Sequence, residues 1–260
     1  MVKFLIIVLD VGNTNVVIGF YDGDNLLSTG RIATDKLKTG DEYAIDIKNI
    51  IEINGVVPSE LEGSVISSVV PPLTNTLKAV LEKLTGKTPF VVGPGIKTGL
   101  NIKTDNPSLV GSDRIVDAVA AISEHTPPLI IIDMGTATTM SVIDETNTYI
   151  GGVIAPGLKI TQEALAVYTS QLPNVSLDNP KSIIGKNTVD CIQSGLLYGH
   201  ASMVDGMISL IEEEIGQKTT VVATGGLSKF IVPLCRHEIH RDEMLLLKGL
   251  RLIYENNKDR

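Results

Sequence analysis

The chain is poor in aromatic residues and cysteine, and it has no long apolar run. Aromatic residues make up 4% of its 260 residues and tryptophan is absent, so any core must be built from aliphatic side chains. Two cysteines, Cys191 and Cys235, cannot form a disulfide framework, which favours a reduced, cytoplasmic protein. No stretch approaches the roughly 20 apolar residues of a membrane span. The first apolar run is cut by Asp10 and is too short for a signal peptide core.

Positive charge is also scarce. The 22 lysines and arginines are outnumbered by 30 acidic residues, which gives a net charge of −8. No basic stripe is present to neutralise nucleic-acid phosphates, and the acidity disfavours an anionic membrane surface. A nucleotide is still allowed, because it arrives with a metal ion and needs only local donors. We therefore expect neither nucleic acid nor a membrane as a partner.

The sequence is rich in short aliphatic runs separated by amphipathic stretches, a pattern that predicts an α/β fold. One such run occurs twice with the same ending: an aspartate, one residue, a glycine, and then hydroxyl or amide side chains. The first copy is the strand Phe4–Leu9 followed by Asp10–Asn15, and the second is Leu129–Ile132 followed by Asp133–Thr139. The two aspartates lie about half the chain length apart, which indicates two halves of the same kind.

Each half is predicted to contain three strands, a helix, a strand and a helix in that order. A helix from about Ser112 connects the halves, and Pro127–Pro128 marks the boundary. We predict domains at residues 1–125 and 126–260. By analogy of fold, two ribonuclease-H-like domains of this kind with a cleft between them form the actin-like ATPase architecture.

Three segments carry features suited to a nucleotide. The glycine turn after Asp10 lets phosphates approach backbone N–H groups, and Asp10 can hold a hydrated Mg²⁺ that bridges phosphates. The turn after Asp133 has the same composition. The segment Ala223–Leu227 leaves a flat place at Gly225 and Gly226 where an adenosine can lie. Taken singly, the first two segments are better explained as ordinary turns, and the third is equally well explained as an ordinary helix start.

Together the three segments resemble the two phosphate motifs and the adenosine motif of the acetate-and-sugar-kinase, heat-shock-protein and actin superfamily. The closer resemblance is to type III pantothenate kinases. The motifs that carry it span nearly the whole chain and are Asp10–Asn15, Ser67–Pro72, Gly93–Leu100, Gly111–Arg114, Asp133–Thr139, Gly152–Gly157, Gly185–Thr188 and Ala223–Leu227.

The resemblance implies ATP-dependent phosphorylation of pantothenate, the first step toward coenzyme A, by a cytoplasmic homodimer with active sites at or near its interface. It also implies ATP, Mg²⁺ and a monovalent cation, K⁺ or NH₄⁺, as cofactors. The implied ATP-binding residues are Asp10, Val11, Gly12, Asn13, Thr14, Asn15, Val16, Val17, Thr136, Gly225 and Gly226. The implied pantothenate-binding residues are Gly111, Ser112, Asp113, Arg114, Thr188 and Thr104. Asp113 is implied as the general base, Asp133 as the ligand of the monovalent cation, and Asp10 as the ligand of Mg²⁺ through the phosphates.

The predicted position of Asp113 in a helix favours its ionised form. We predict that Ser112 is the N-cap of a helix, which places Asp113 in the first turn, where the helix dipole favours a carboxylate. Relatives usually have alanine at Ser112 and an aromatic residue, commonly tyrosine, at Thr104. The segment Pro233–Glu243 matches no motif.

Two other functions are compatible with this fold: a non-catalytic regulatory protein, or a kinase for another small hydroxy acid or sugar. The retained Asp10, Asp113, Asp133 and Thr136 favour an enzyme, and Gly111–Arg114 favours pantothenate as its substrate. Two further clusters of polar or metal-ligating residue types do not indicate a functional site. The run Glu212–Glu214 is typical of a solvated helix face, and Cys235, His237 and His240 indicate a solvated loop rather than zinc ligands.

Overall fold

The structure of the protein is a computed structural model, and it describes residues 5–259. Phe4, which the sequence predicts to be in the first strand, lies outside this range. The strands are β1 (Leu5–Val11), β2 (Asn15–Asp22), β3 (Asn25–Ala33), β4 (Leu61–Ser68), β5 (Phe90–Val91), β6 (Asn101–Ile102), β7 (Leu129–Met134), β8 (Ala137–Ile143), β9 (Thr148–Pro156), β10 (Thr220–Thr224) and β11 (His240–Arg241). The helices are α1 (Gly40–Ile53), α2 (Pro71–Thr85), α3 (Ser112–Glu124), α4 (Leu158–Tyr168), α5 (Thr188–Ile215), α6 (Ser228–Ile231) and α7 (Leu245–Glu255).

The first sheet has the strand order β3-β2-β1-β4-β5. Strands β1, β2 and β3 are antiparallel neighbours, whereas β4 runs parallel to β1 and β5 parallel to β4. The predicted succession of three strands, a helix, a strand and a helix is confirmed here. A capping box begins α1, because Thr39 and Glu42 each accept a bond from the backbone N–H of the other.

Strand β1 is apolar on both of its faces, because both are covered by helices. Leu5, Ile7 and Leu9 belong to one buried cluster with residues of α1 and α2. Ile6 and Val8, which point to the opposite face, belong to another cluster with residues of α7 and with Val116 of α3. This explains the unbroken aliphatic run of the sequence.

The position of α7 corrects the predicted domain division. One compact unit comprises the chain to Leu100, residues 105–120 and the chain from Met244 onward, and the other comprises residues 101–104 and 121–243. The predicted domain of residues 126–260 therefore wrongly included α7, which contacts β1 and β4 instead. Close packing fixes this position, since a β-carbon at Gly249 of α7 would lie 2.1 Å from the carbonyl oxygen of Val116.

The second sheet has the order β11-β10-β7-β8-β9-β6. Without β6, this is the strand order of the first sheet. Strand β6 comes from a glycine- and proline-rich stretch and runs parallel to β9. Helix α5 is continuous past Gly199, and Asn187 caps its start by accepting from the N–H of Asp190.

The segment Pro233–Glu243 has a structural role that the sequence did not indicate. Its strand β11 pairs with β10, and Asp205 of α5 accepts bonds from the N–H groups of Arg236 and His237 and from the His237 ring. Burial alone would raise the pKa of Asp205, but these hydrogen bonds lower it below its usual value. The prediction of a solvated loop is therefore wrong for His237.

Cysteine chemistry in this segment is suppressed by burial. Burial, together with the nearby charge of Asp205, raises the pKa of the Cys235 thiol to about 12. Within residues 5–259 no group of three or more potential metal-ligating histidine, cysteine, aspartate or glutamate side chains is found.

Glu212 also departs from its prediction as part of a solvated helix face. Its side chain is 7% exposed and accepts bonds from the backbone N–H of Thr219, at 2.9 Å, and from the ammonium of Lys218, at 2.6 Å. Burial would raise the pKa of Glu212, but these hydrogen bonds lower it.

Across the described part of the chain, no helix is both long and apolar enough to cross a membrane.

Candidate active site

The first predicted phosphate turn joins β1 to β2. Gly12 donates its N–H to the carbonyl of Asn15 at 3.0 Å, and the hydroxyl of Thr34 donates to the carbonyl of Gly12 at 2.7 Å. Asn13 and Thr14 at the tip are exposed. Thr34, which the sequence analysis missed, thus holds this turn through the carbonyl of Gly12.

Asp10 ends this strand beside β4. Its partners across the sheet are Val17 on β2 and Ser67 on β4. The hydroxyl of Ser67 in turn bonds that of Ser112 at 3.0 Å. The first unit therefore brings the strand ends of Asp10 and Ser67 together with the start of α3, where Asp113 lies.

Asp113 lies in the first turn of α3, as predicted. The predicted N-cap role of Ser112 is wrong, however, because Gly111 holds that position: its carbonyl accepts the first helical bond, from the N–H of Ile115. The carboxylate of Asp113 folds back and accepts the N–H of Arg114 at 2.8 Å. A β-carbon at Gly111 would lie 2.4 Å from Asp113 Oδ1, so a side chain there would force this carboxylate to turn away from its position.

Asp133 of the second unit is surrounded by glycines. Gly225 has a φ of +84°, and a β-carbon there would lie 2.4 Å from Asp133 Oδ1 and 2.6 Å from the carbonyl oxygen of Met134. Gly157 packs equally closely behind the turn, since a β-carbon there would lie 2.2 Å from the carbonyl oxygen of Thr136. The residues predicted around Asp133 are therefore brought together in this unit.

The segment predicted to accommodate adenosine is fixed from the start of α6. Ser228, which is fully buried and was missed in the sequence analysis, donates its hydroxyl to the carbonyl of Gly225 at 2.6 Å, and Leu227 donates its N–H to that of Met134. Gly226 is exposed, and no atom lies within 4 Å of where its side chain would begin. The backbone at Gly226 can therefore be approached closely, as an adenosine requires.

Three further predicted residues are the threonines Thr136, Thr188 and Thr104. Thr136 is exposed at its turn, and Thr188 is exposed at the first position of α5. Thr104 follows β6, and its hydroxyl oxygen is buried without a hydrogen-bond partner among the described residues. A buried hydroxyl of this kind is costly unless a ligand or water satisfies it.

The fold defines the class of protein. It is similar to that of the ROK hexokinase from Thermus thermophilus, with a TM-score of 0.56, 16% identity and coverage of 99% of this chain and 100% of that one. It is also similar to MreB 5 of Spiroplasma citri, with a TM-score of 0.58, 12% identity and coverage of 98% and 97%. The chain thus has the predicted fold of ribonuclease-H-like domains that actin-like proteins and sugar kinases share.

The sequence comparisons define the family. The sequence model of type III pantothenate kinase matches residues 6–210. Type III pantothenate kinase from Exiguobacterium sp. strain AT1b is 48% identical over 98% of this chain and 100% of its own length. The one from Halalkalibacterium halodurans is 47% identical over 97% and 100%. The chain belongs to the type III pantothenate kinase family.

Two neighbouring glycines test the packing around Asp133. Gly225→Ala should destabilise the protein by about 2 kcal/mol or more, because its β-carbon strikes the Asp133 carboxylate and its φ is positive. Gly226→Ala meets no atom within 4 Å and should change the free energy of unfolding by less than about 0.5 kcal/mol. Urea unfolding of both variants measures the difference, and equal stabilities would contradict the packing described here.

Proposed function

We propose that this chain transfers the γ-phosphoryl group of ATP to pantothenate and so forms 4′-phosphopantothenate, the first step of coenzyme A biosynthesis. The observation that carries the proposal is that a member of this family keeps Asp113 in the first turn of α3, tied to the end of the sheet where Asp10 lies. A non-catalytic regulator would have no need for this carboxylate, nor for the glycine that makes room for it.

Both phosphate turns serve ATP in this proposal. Asp10 to Val17 contact the phosphates, with Asp10 holding Mg²⁺ through them, and Thr136 adds a hydroxyl. Gly225 and Gly226 receive the adenosine. Gly225 and Gly226, which have no side chains, suit a nucleotide that must approach the backbone. Bound ATP with its divalent ion supplies the phosphoryl group and neutralises its charge.

Pantothenate binds at Gly111–Arg114, with Thr104 and Thr188 completing its site. Arg114 holds the pantothenate carboxylate, since a guanidinium matches a carboxylate in shape and charge. The buried hydroxyl of Thr104 bonds the substrate in place of the aromatic wall of relatives. Asp113 orients the substrate hydroxyl and accepts its proton late, which suffices because positioning and charge stabilisation provide most of the rate in a loose transition state.

The proposal is tested by ADP release from the purified protein with Mg-ATP, K⁺ and pantothenate. We expect release that depends on pantothenate and a product that carries one phosphate. A panel of sugars and small hydroxy acids is assayed in parallel. Release with one of these and none with pantothenate would assign the chain to another small-molecule kinase, and no release with any substrate would favour a regulator.

Asp113→Asn tests the general base. The amide keeps the size of the side chain but cannot accept the proton, so turnover should fall about 10³-fold. The dissociation constant of ATP, measured by calorimetry, should stay unchanged. Glu124→Gln, an exposed change at the other end of the same helix, is the control and should leave turnover intact. Turnover of Asp113→Asn near that of the wild type would remove Asp113 as the base.

The monovalent cation is proposed to bind at Asp133. We expect activity to fall sharply when K⁺ is replaced by Na⁺ at constant ionic strength, and NH₄⁺ to restore it. Asp133→Asn should abolish this difference between ions. Equal initial rates in K⁺ and Na⁺ would contradict the assignment.

A homodimer is proposed through exposed apolar residues near Thr188. Val167 and Tyr168 at the end of α4 are 73% and 86% exposed, and Ile183 and Ile184 before α5 are 66% and 77% exposed. Exposed apolar side chains of this size are costly in water and are typical of an interface. Ile184→Asp should therefore give a monomer by light scattering and raise the pantothenate KM, whereas Leu37→Asp, a change at a residue that is 93% exposed in the other unit, should not. A wild-type monomer at micromolar concentration would contradict this proposal.

The reaction is proposed to take place in the cytoplasm. Cys191 and Cys235 are both free thiols, as in a reducing compartment. Recovery of the protein in a secreted or membrane fraction after cell fractionation would contradict this location.

A further inference from the structure

The hydroxyl of Ser112 makes three hydrogen bonds to the end of β4. It accepts from the backbone N–H of Ser68 at 3.1 Å and from the hydroxyl of Ser67 at 3.0 Å, and it donates to the carbonyl of Ser68 at 3.0 Å. The partners come from two adjacent residues of one strand. Ser67 is fully buried, so this contact is sheltered from water.

These three bonds use the full hydrogen-bonding capacity of the Ser112 hydroxyl. A serine hydroxyl has one donor and two acceptor lone pairs, and all three are used by β4. To bind pantothenate, the hydroxyl would have to give up a bond to a buried partner, which costs more than a new bond returns. Hydrogen bonding of a substrate by this side chain is thus excluded by its surroundings.

The same network extends to the start of α2. The hydroxyl of Ser68 accepts from the Thr74 hydroxyl at 2.8 Å and from the N–H of Val70 at 3.2 Å. The end of β4 is thereby linked to the starts of both α2 and α3. Because β4 lies beside β1 with Ser67 opposite Asp10, the network fixes the start of α3 relative to the strand that carries Asp10.

We infer that Ser112 is a positioning residue, which sets the place of Asp113 through its bonds to β4 and does not bind substrate through its hydroxyl. This inference rests on the proposed function for its kinetic consequence. Asp113 follows Ser112 directly, so a shift of the first turn of α3 carries the carboxylate with it. Small misplacements of a catalytic group lower the rate of the chemical step with little effect on substrate affinity.

The test compares Ser112→Ala, which removes the bonds, with Ser112→Thr, which keeps a hydroxyl. Ser108→Ala, an exposed change shortly before α3, is the control. For Ser112→Ala we expect kcat to fall about tenfold with the pantothenate KM within about twofold, because the chemical step alone depends on the place of Asp113. Ser112→Thr should keep most of kcat, and Ser108→Ala should match the wild type.

A second measurement places the effect at Asp113. In an Asp113→Asn background, Ser112→Ala should cause no further loss of kcat, because residues that act as a unit are non-additive. An additional tenfold loss, a rise in the pantothenate KM at unchanged kcat, or unchanged kinetics in Ser112→Ala would each overturn the inference.

A third measurement does not depend on activity. Amide hydrogen exchange at residues 113–116 should accelerate in Ser112→Ala and not in Ser108→Ala, and equal exchange in both would overturn the inference. If the wild-type protein fails to phosphorylate pantothenate, the proposed function falls, while the exchange experiment still decides whether Ser112 holds the start of α3.

Discussion

Asp113 and Asp133 each lie against a glycine that leaves room for the carboxylate. In each case a β-carbon, at Gly111 or at Gly225, would lie 2.4 Å from the carboxylate oxygen. The two carboxylates belong to different units and different kinds of element, a helix start and a strand end. The constraint is stricter at Gly225, because a β-carbon there would also lie 2.6 Å from the carbonyl oxygen of Met134 and its φ is +84°. At Gly111 the atom closer than 3 Å is Asp113 Oδ1, at the end of a side chain that can turn away.

Serine and threonine hydroxyls stabilise the strand ends of the candidate site through hydrogen bonds to backbone carbonyls. Thr34 donates to the carbonyl of Gly12, Ser228 to that of Gly225, and Ser112 to that of Ser68. Each hydroxyl satisfies a backbone carbonyl at the end of a strand, where the sheet no longer provides a partner. Serine and threonine lose little side-chain entropy when ordered, so they fix such turns at a lower cost than longer polar residues.

The sequence predicted those parts of the fold that depend on local patterns. Strand β1, the capping box of α1 and the helix that carries Asp113 all follow from neighbouring residues. The strands β6 and β11, of two residues each, are too short for any periodicity, and α7 joins the first unit through packing against residues far away in the chain. In the candidate site, too, local motifs could be predicted and contacts between distant residues could not. Its motifs were recognisable, whereas the bonds of Ser112 to β4 join positions 44 and 45 residues apart and displace it from the predicted N-cap.

The two copies of the repeated turn differ in the kind of group that they present. At the turn after Asp10, the exposed Asn13 and Thr14 present side chains. At the turn after Asp133, Gly135 and Gly225 lie beside the carboxylate, and Thr136 presents one exposed side chain. Side-chain donors adapt to a ligand, whereas backbone groups at fixed positions select for shape and size. Duplication of a fold thus does not imply duplication of chemistry, and Asp113, the base in the proposed function, belongs to neither copy.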